Sequence, residues 1–254
     1  MFSNNYTLLA LYATLFTWLL TILGSSMVFF FKKINKNYLD ITLSMAAGIM
    51  LSASFWSLLN PSITNAKLIY QTPWLIVTTG FILGGVFIYL TDFLFTKKFK
   101  HKNKRLSLLM LSITMHNIPE GLAIGIAFGS ARYSLNGSSI ASALTIAIAI
   151  ALQNFPEGSA ISLPLRRDGY SRIKSFIYGS LSAIVEPIFG IIGVLLTIKI
   201  SYLMPFLLSF AAGAMIYVVI EELIPESQKN NNKALMTLST LFGFSIMMIL
   251  DTLM

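Results

Sequence analysis

The sequence contains no cysteine. This absence excludes disulfide bonds, and it excludes metal sites built from thiolates. Any metal site in this chain must therefore use imidazole, carboxylate, amide or thioether ligands. Histidine is also scarce, because the chain has two of them and only one lies within an apolar run.

Charge is the second feature that the sequence has little of. Charged residues make up 11% of the chain, against about 25% in a typical soluble domain. Hydrophobic residues make up 56%, and the mean hydropathy is +0.75. Such a chain has too little polar surface to cover a water-soluble fold, so it is predicted to lie in a lipid bilayer. The net charge of +8 does not indicate nucleic-acid binding, because the basic residues lie in short loops and form no long arm.

No linker or second domain interrupts the apolar pattern, so residues 1–254 are predicted to form one transmembrane domain. A membrane-spanning helix needs about 20 mostly apolar residues. The uncharged N-terminus precedes the first such run without a cleavage site, which predicts a first span and not a removed signal. The predicted spans are 6–31, 39–60, 73–95, 106–129, 138–163, 173–198, 203–225 and 234–253.

The loops between these spans alternate sharply in charge. Fifteen of the eighteen Lys and Arg residues lie in the odd-numbered connections, and the other side has only Lys67, Arg132 and Lys199. The positive-inside rule then places both termini outside the cytoplasm, in a plasma or bacterial inner membrane. Losing one span would scramble this alternation, so the charges also support eight spans.

Two internal echoes predict an inverted repeat. The motif at 116–121 in span four returns at 153–158 in span five, and the motif at 44–50 in span two returns at 209–215 in span seven. Each pair lies on spans of opposite direction, as in transporters built from inverted repeats. The alternative for the second echo is that small residues recur wherever membrane helices pack closely. The predicted fold is all-α, with eight transmembrane helices in a 3+2+3 inverted-repeat arrangement.

The span-four motif places three polar side chains on one helix face. Glu120 follows His116 by four residues and Asn117 by three. Pro119 cannot donate a backbone hydrogen bond and frees a carbonyl, and Gly121 permits close approach of another backbone. Span five repeats the layout, and span six adds a carboxylate next to a proline. The resulting candidate metal ligands are His116, Asn117, Glu120, Gln153, Asn154, Glu157 and Glu186.

Three carboxylates inside a membrane need compensation. One charged carboxylate at a helix centre costs about 2.5–3.5 kcal/mol even on lenient scales. Protonation is one form of compensation, and a bound dication is the other. Oxygen and imidazole ligands suit zinc, iron(II), manganese or cadmium better than copper(I). Taken singly, the amides could instead hydrogen-bond between helices and only hold the bundle together.

Further polar residues lie toward the two ends of the predicted bundle. Span seven ends with Glu221 and Glu222, which are interpreted either as an interfacial acidic cluster or as a cation exit. By the second echo Glu222 matches Ser57, so the two would form opposite mouths of one pathway. Asp92 and Asp251 are interpreted as solvated helix ends.

At these motifs the sequence resembles the ZIP family of zinc- and iron-regulated-like metal transporters, in its bacterial GufA-like branch. The resemblance rests on 116–121, 153–158, 46–58 and 221–226 and covers nearly the whole chain. It implies uptake of a divalent metal through a two-metal centre. One ion would be held by His116, Glu120, Gln153 and Glu157 with Met50 nearby, and the second by Asn117, Glu120, Asn154, Glu157 and Glu186. Some members carry aspartate where this chain has Asn154, which predicts a weaker second site.

The leading prediction is therefore a transporter and not an enzyme. Its cargo would be Zn(II), with Fe(II), Mn(II) or Cd(II) as alternatives, and no cofactor is expected. A proton or monovalent-cation carrier using the same carboxylates is one alternative. An intramembrane metalloenzyme is another, although hydrolysis needs three firm zinc ligands and the chain has one intramembrane histidine. Predicted partners are divalent metal ions and lipid, with no nucleic acid, and a homodimer stays open.

Overall fold

The computed structural model describes residues 5–30, 36–98, 104–132 and 139–253, and every regular element within them is helical. The helices, in chain order, are α1 (Tyr6–Phe30), α2 (Lys36–Ala53), α3 (Asn60–Ile69), α4 (Pro73–Lys98), α5 (Lys104–Arg132), α6 (Ile140–Arg167), α7 (Arg172–Leu181), α8 (Val185–Ile200), α9 (Met204–Val218), α10 (Ile224–Ser227) and α11 (Lys233–Leu253).

The helices have the length and surface of membrane spans. Seven helical stretches in the described residues are long and apolar enough to cross a bilayer. Helix α5, which is not one of the seven, has 29 residues. On α1, Leu19 and Leu23 are each 46% exposed, whereas Thr17 and Thr21 are fully buried. Large apolar side chains outside and small hydroxyl side chains inside suit a bundle whose solvent is lipid.

The second and seventh spans each contain a π-helical turn, at Ser54–Leu59 and Val219–Leu223. The N–H of the residue after each turn reaches back five residues, from Asn60 to the Phe55 carbonyl and from Ile224 to the Val219 carbonyl. A proline follows directly in both cases and needs no donor at the start of a new helix. The second span, predicted to end at residue 60, therefore continues through α3.

The sixth span is two helices and not the single one predicted. A turn at residues 182–184 separates α7 from α8. Pro187 lacks an N–H and its ring would clash with the carbonyl of Ala183 in a continuous helix. The Ala183 carbonyl instead accepts a 3.0 Å bond from the N–H of Glu186. The break therefore lies directly before the only carboxylate of this span.

The inverted repeat is visible in how the helices touch. A Cβ at Gly48 on α2 would collide with the carbonyl of Thr240 on α11, and one at Gly213 on α9 with the carbonyl of Phe81 on α4. In the opposite direction, Gly243 on α11 packs against the backbone of Met45 on α2, and Gly84 on α4 packs against the backbone of Phe210 on α9. The two helix pairs therefore make equivalent contacts at equivalent positions. The predicted 3+2+3 inverted-repeat fold is confirmed, and the small residues of the second echo are its contact points.

The helices form two groups by packing. The site group consists of α1, α5, α6, α7 and α8, which pack mainly on one another. The frame group consists of α2, α3, α4, α9, α10 and α11, in which α2 packs along α11 and α4 along α9. The groups meet mainly where α2 touches α6 and where α9 and α4 touch α5.

The two ends of the bundle differ in charge. At one, called the basic end, Arg167 of the site group pairs with Glu226 of the frame group at 2.7 Å. Lys36 donates there to the carbonyl of Lys229. At the opposite end the Tyr70 hydroxyl donates to the backbone of residue 202.

Candidate metal centre

Close backbone contacts bring the two motif helices onto their neighbours. A Cβ at Gly121 on α5 would lie 2.6 Å from the carbonyl oxygen of Glu186 on α8. A Cβ at Gly158 on α6 would collide in the same way with the carbonyl of Thr21 on α1. The glycine that closes each motif therefore permits the approach that the sequence predicted, and it brings four helices of the site group to one place.

The three carboxylates of the motifs lie together in the interior. Glu120 and Glu186 are fully buried and Glu157 is 1% exposed. The three side chains are close neighbours of one another. Among the described residues, no basic side chain lies beside Glu120 or Glu186 to balance a negative charge. The structure thus joins the acidic groups that the sequence placed on separate spans.

The amide side chains donate outward from this cluster. Asn117 donates to the carbonyl of Ser182 at 3.2 Å, and Asn154 donates to the carbonyl of Thr17 at 3.2 Å. Ser182 lies in the break between α7 and α8, where its carbonyl is released from the usual bond to Glu186. The break thus supplies the acceptor that orients Asn117.

Two further amide bonds reach the carboxylates. Gln153 donates to Oε1 of Glu120, and Asn154 donates to Oε1 of Glu186 at 2.8 Å. With the N–H groups used in this way, the amide oxygens are left over. One buried oxygen on each of four cluster residues has no hydrogen-bond partner in the described residues, namely Asn117 Oδ1, Glu120 Oε2, Gln153 Oε1 and Asn154 Oδ1.

An excess of buried acceptors is costly without a positive group. An unpaired buried polar atom costs about 1–3 kcal/mol, and more where it carries charge. A divalent cation would satisfy several such oxygens at once, because carboxylate and amide oxygens are ordinary ligands of hard and borderline metals. The chemistry of this cluster fits a cation better than it fits interhelical hydrogen bonding alone.

For His116 the structure describes only the position of the backbone. His116 lies on α5, one turn before Glu120, and its side chain is outside the described part of the structure. Met50 is buried in the core that α2 shares with α5, α6 and α9. Among the described side chains, no three of the His, Cys, Asp and Glu type form a metal-binding group by themselves. The candidate ligand set accordingly combines carboxylates with amide oxygens, His116 and Met50.

Thr17 belongs to the cluster although the sequence did not single it out. Its hydroxyl, fully buried, donates to Oε2 of Glu186. The signal that could have found it is the repeat, because Thr17 occupies in α1 the position that Ser182 occupies before α8. An uncharged threonine in an apolar helix gives no other sign.

The candidate mouth residues lie at opposite ends of the frame group. Ser57, in the first π-helical turn, donates to Oδ1 of Asp251 at 2.7 Å. Asp251 is partly buried and its Oδ2 has no partner in the described residues, so it is not the solvated helix end that was predicted. Its repeat mate is Asp92, also partly buried, near the basic end. Glu222 is the repeat mate of Ser57.

Glu221 points away from this interior. It is exposed and lines a mainly apolar surface cavity of about 430 Å³ between α4 and α9, together with Tyr89 and Tyr217. Glu222, one residue later, is only partly exposed. Of the two neighbouring glutamates, Glu222 is therefore the better placed for an internal pathway.

Comparison with known proteins gives consistent matches. A family described as ZIP Zinc transporter matches residues 103–251. Zinc transporter ZIP11 of Homo sapiens is 32% identical, over 95% of this chain and 96% of the human protein. Zinc transporter ZIPB of Bordetella bronchiseptica is 31% identical, over 91% of this chain and 77% of its own length. Zinc transporter GufA of Myxococcus xanthus is 35% identical, over 69% and 70%.

Proposed function

Because the chain belongs to the ZIP family of zinc transporters, and so is a transporter and not an enzyme, we propose that it carries a divalent metal ion, zinc in the first place, across the membrane into the cytoplasm. Fe(II), Mn(II) and Cd(II) are the alternative cargoes, since the same oxygen and imidazole ligands accept them. The chain spans a membrane, and we place it in the plasma membrane with both termini outside the cytoplasm. The alternation of basic loops supports this orientation.

The observation that carries the proposal is the buried cluster of acceptors. Glu120, Glu157 and Glu186 lie near one another in the buried interior, and amide oxygens beside them have no partner in the described residues. His116 and Gln153 complete the first metal position, and Asn117 and Asn154 the second. Neutral amides are weak ligands, which suits a site that must release its ion.

The grouping of helices supports alternating access. All the proposed ligands except Met50 lie on α5, α6 and α8, which belong to the site group. An ion held there would move with this group when it slides against the frame group. Ser57 with Asp251 would form the outer mouth, and Glu222 with Asp92 the inner one.

Zinc uptake into proteoliposomes tests the proposal. Purified protein should take up radioactive zinc, and Glu157→Ala and His116→Ala should each abolish most of that uptake. Asp168→Asn is the control, because it removes an exposed carboxylate that pairs with Arg167 at 3.2 Å, outside the cluster. Uptake that both cluster variants leave unchanged would contradict the metal pathway. Proton or sodium flux without zinc flux would favour the alternative carrier.

A further inference from the structure

Helix α1 carries no acidic or basic residue, yet it presents a stripe of hydroxyl groups to the interior of the site group. All members of the stripe are fully buried, and their spacing of three or four residues puts them on one helix face. They are Thr14, Thr17, Thr21 and Ser25.

The hydroxyls of this stripe have different partners. Thr14 donates to the carbonyl of Ala10 within α1 at 2.8 Å, and Ser25 donates to the carbonyl of Gly158 at 3.2 Å. The Thr21 hydroxyl has no partner among the described residues. The Thr17 hydroxyl lies within hydrogen-bond distance of two acceptors, the carbonyl of Thr14 at 2.9 Å and Oε2 of Glu186, and it is the one hydroxyl of the stripe that reaches a carboxylate.

Thr17 closes a ring of hydrogen bonds with Glu186 and Asn154. Its hydroxyl donates to Oε2 of Glu186, and its carbonyl accepts from Nδ2 of Asn154 at 3.2 Å. The same Nδ2 donates to Oε1 of Glu186 at 2.8 Å. Both carboxylate oxygens are thus fixed by one turn of α1, one directly and one through Asn154. Hydrogen bonds to a charged acceptor are about twice as strong as neutral ones.

The corresponding place in the second half of the repeat lacks such a ring. There Asn117 donates to the carbonyl of Ser182, as Asn154 does to that of Thr17. A matching ring around Asn117 and Ser182 would need a carboxylate at the repeat equivalent of Glu186. That equivalent is Thr21, which has no carboxylate, so the ring cannot close. The ring therefore forms once, around the carboxylate of the second metal position.

We propose that Thr17 is a positioning residue of the metal centre, which orients Glu186 and Asn154 for the second metal ion. This inference rests on the proposed function. The hydroxyl occupies one lone pair of Oε2 and fixes the plane of the carboxylate, so that the remaining lone pairs and the unpartnered Oδ1 of Asn154 are left for a cation. Supporting partners of this kind typically change metal affinity by about 10- to 100-fold.

The test compares two threonines of equal shape and burial. Thr17→Val removes the hydroxyl that holds Glu186, and Thr21→Val removes a hydroxyl that bonds nothing in the described structure. Isothermal titration of the purified protein with zinc should give two ions for the wild type and for Thr21→Val. Thr17→Val should retain the first ion and bind the second about 10- to 100-fold more weakly. Thr17→Ser, which keeps the hydroxyl, should restore the second ion.

Transport measurements separate positioning from folding. Thr17→Val should raise the KM for zinc uptake more than it lowers the maximal rate per folded protein, while its thermal midpoint stays near that of Thr21→Val. Equal titrations for Thr17→Val and Thr21→Val, a failure of Thr17→Ser to restore the second ion, or a single ion in the wild type would overturn the inference. If the wild type binds no zinc at all, the proposed function fails with it.

Discussion

Thr21 and Glu186 occupy equivalent positions in the two halves of this molecule, yet one is neutral and the other is a buried carboxylate. Both offer their backbone carbonyl to the closing glycine of a motif, Gly158 for Thr21 and Gly121 for Glu186. The contact that builds the repeat is made by backbone, so it survives a change of side chain. Close packing makes the two backbones alike at these positions, while the side chains there differ in charge.

The same contrast recurs away from the centre. Ser57 and Glu222 are equivalent, as are Asp251 and Asp92, so the proposed outer mouth has a single carboxylate and the proposed inner mouth has two. His116 likewise corresponds to Gln153. A symmetric framework therefore carries an asymmetric set of charges, and variants can be chosen to test which of the two matters for transport.

The largest effect on zinc uptake is expected at Glu120 and Glu157, where the two halves carry the same side chain. Glu120→Gln and Glu157→Gln each remove an anionic ligand from equivalent positions, and both should lower zinc uptake by about 100-fold or more, because each glutamate is proposed to bind both ions. Initial rates in proteoliposomes, corrected for folded protein, measure the loss. A large loss for one variant beside a near-normal rate for the other would show that the motifs are not equivalent.

A second change makes the halves more alike. Glu186→Thr gives the second half the residue of the first, removes the third carboxylate and should abolish binding of the second ion while the first remains. Uptake should fall by about tenfold, since the supporting oxygens of one position persist. Zinc titration and uptake kinetics measure both quantities. Two ions bound by Glu186→Thr would mean that this carboxylate is not a ligand.

The two mouths should respond differently to loss of charge. Asp251→Asn should raise the KM for zinc presented on the side of the termini by about three- to tenfold, because the carboxylate attracts the approaching cation. Asp92→Asn, its repeat mate, should leave that KM unchanged and act only on release. The comparison requires vesicles with protein in a single orientation. Equal effects of the two variants on KM would argue against separate mouths.

The smallest effect on transport is expected from changes that touch only the framework. Gly48→Ala and Gly213→Ala place a methyl against a neighbouring backbone in equivalent positions, and each should lower the free energy of unfolding by about 1–3 kcal/mol. Gly85→Ala is the matched control, because its Cβ would meet the nearest atom at an ordinary 3.7 Å. Thermal midpoints in detergent measure the difference. Unequal losses at Gly48 and Gly213 would indicate that the halves do not pack alike.

Much of this fold could be predicted from the sequence because membrane spans have a strong signal. Apolar length and the alternation of basic loops give the eight spans, and the echo of Gly48 in Gly213 gives their pairing. The break before Glu186 and the extension beyond Pro61 were missed. Both depend on how a proline is accommodated, by a turn in one case and by a π-helical turn in the other, and such choices depend on neighbouring helices.

The candidate site was predicted in part. Helical spacing placed Glu120 and Asn117 on one face, and the repeat placed Glu157 and Asn154 opposite them. Sequence alone could not find Thr17, because a threonine in an apolar helix usually bonds to its own backbone, as Thr14 does and as Thr17 itself does beside its contact with Glu186. Asp251 was interpreted as solvated because its partner Ser57 lies almost two hundred residues away in the chain.

Anomalous scattering at the zinc edge from a zinc-soaked crystal would test the central claim most directly, since it locates the ions without assumptions about ligands. The expected result is a strong peak between Glu120 and Glu157 and a weaker second peak beside Glu186, with the second peak absent in Glu186→Thr. A crystal of protein that transports zinc but shows its peaks away from α5 and α6 would contradict the account.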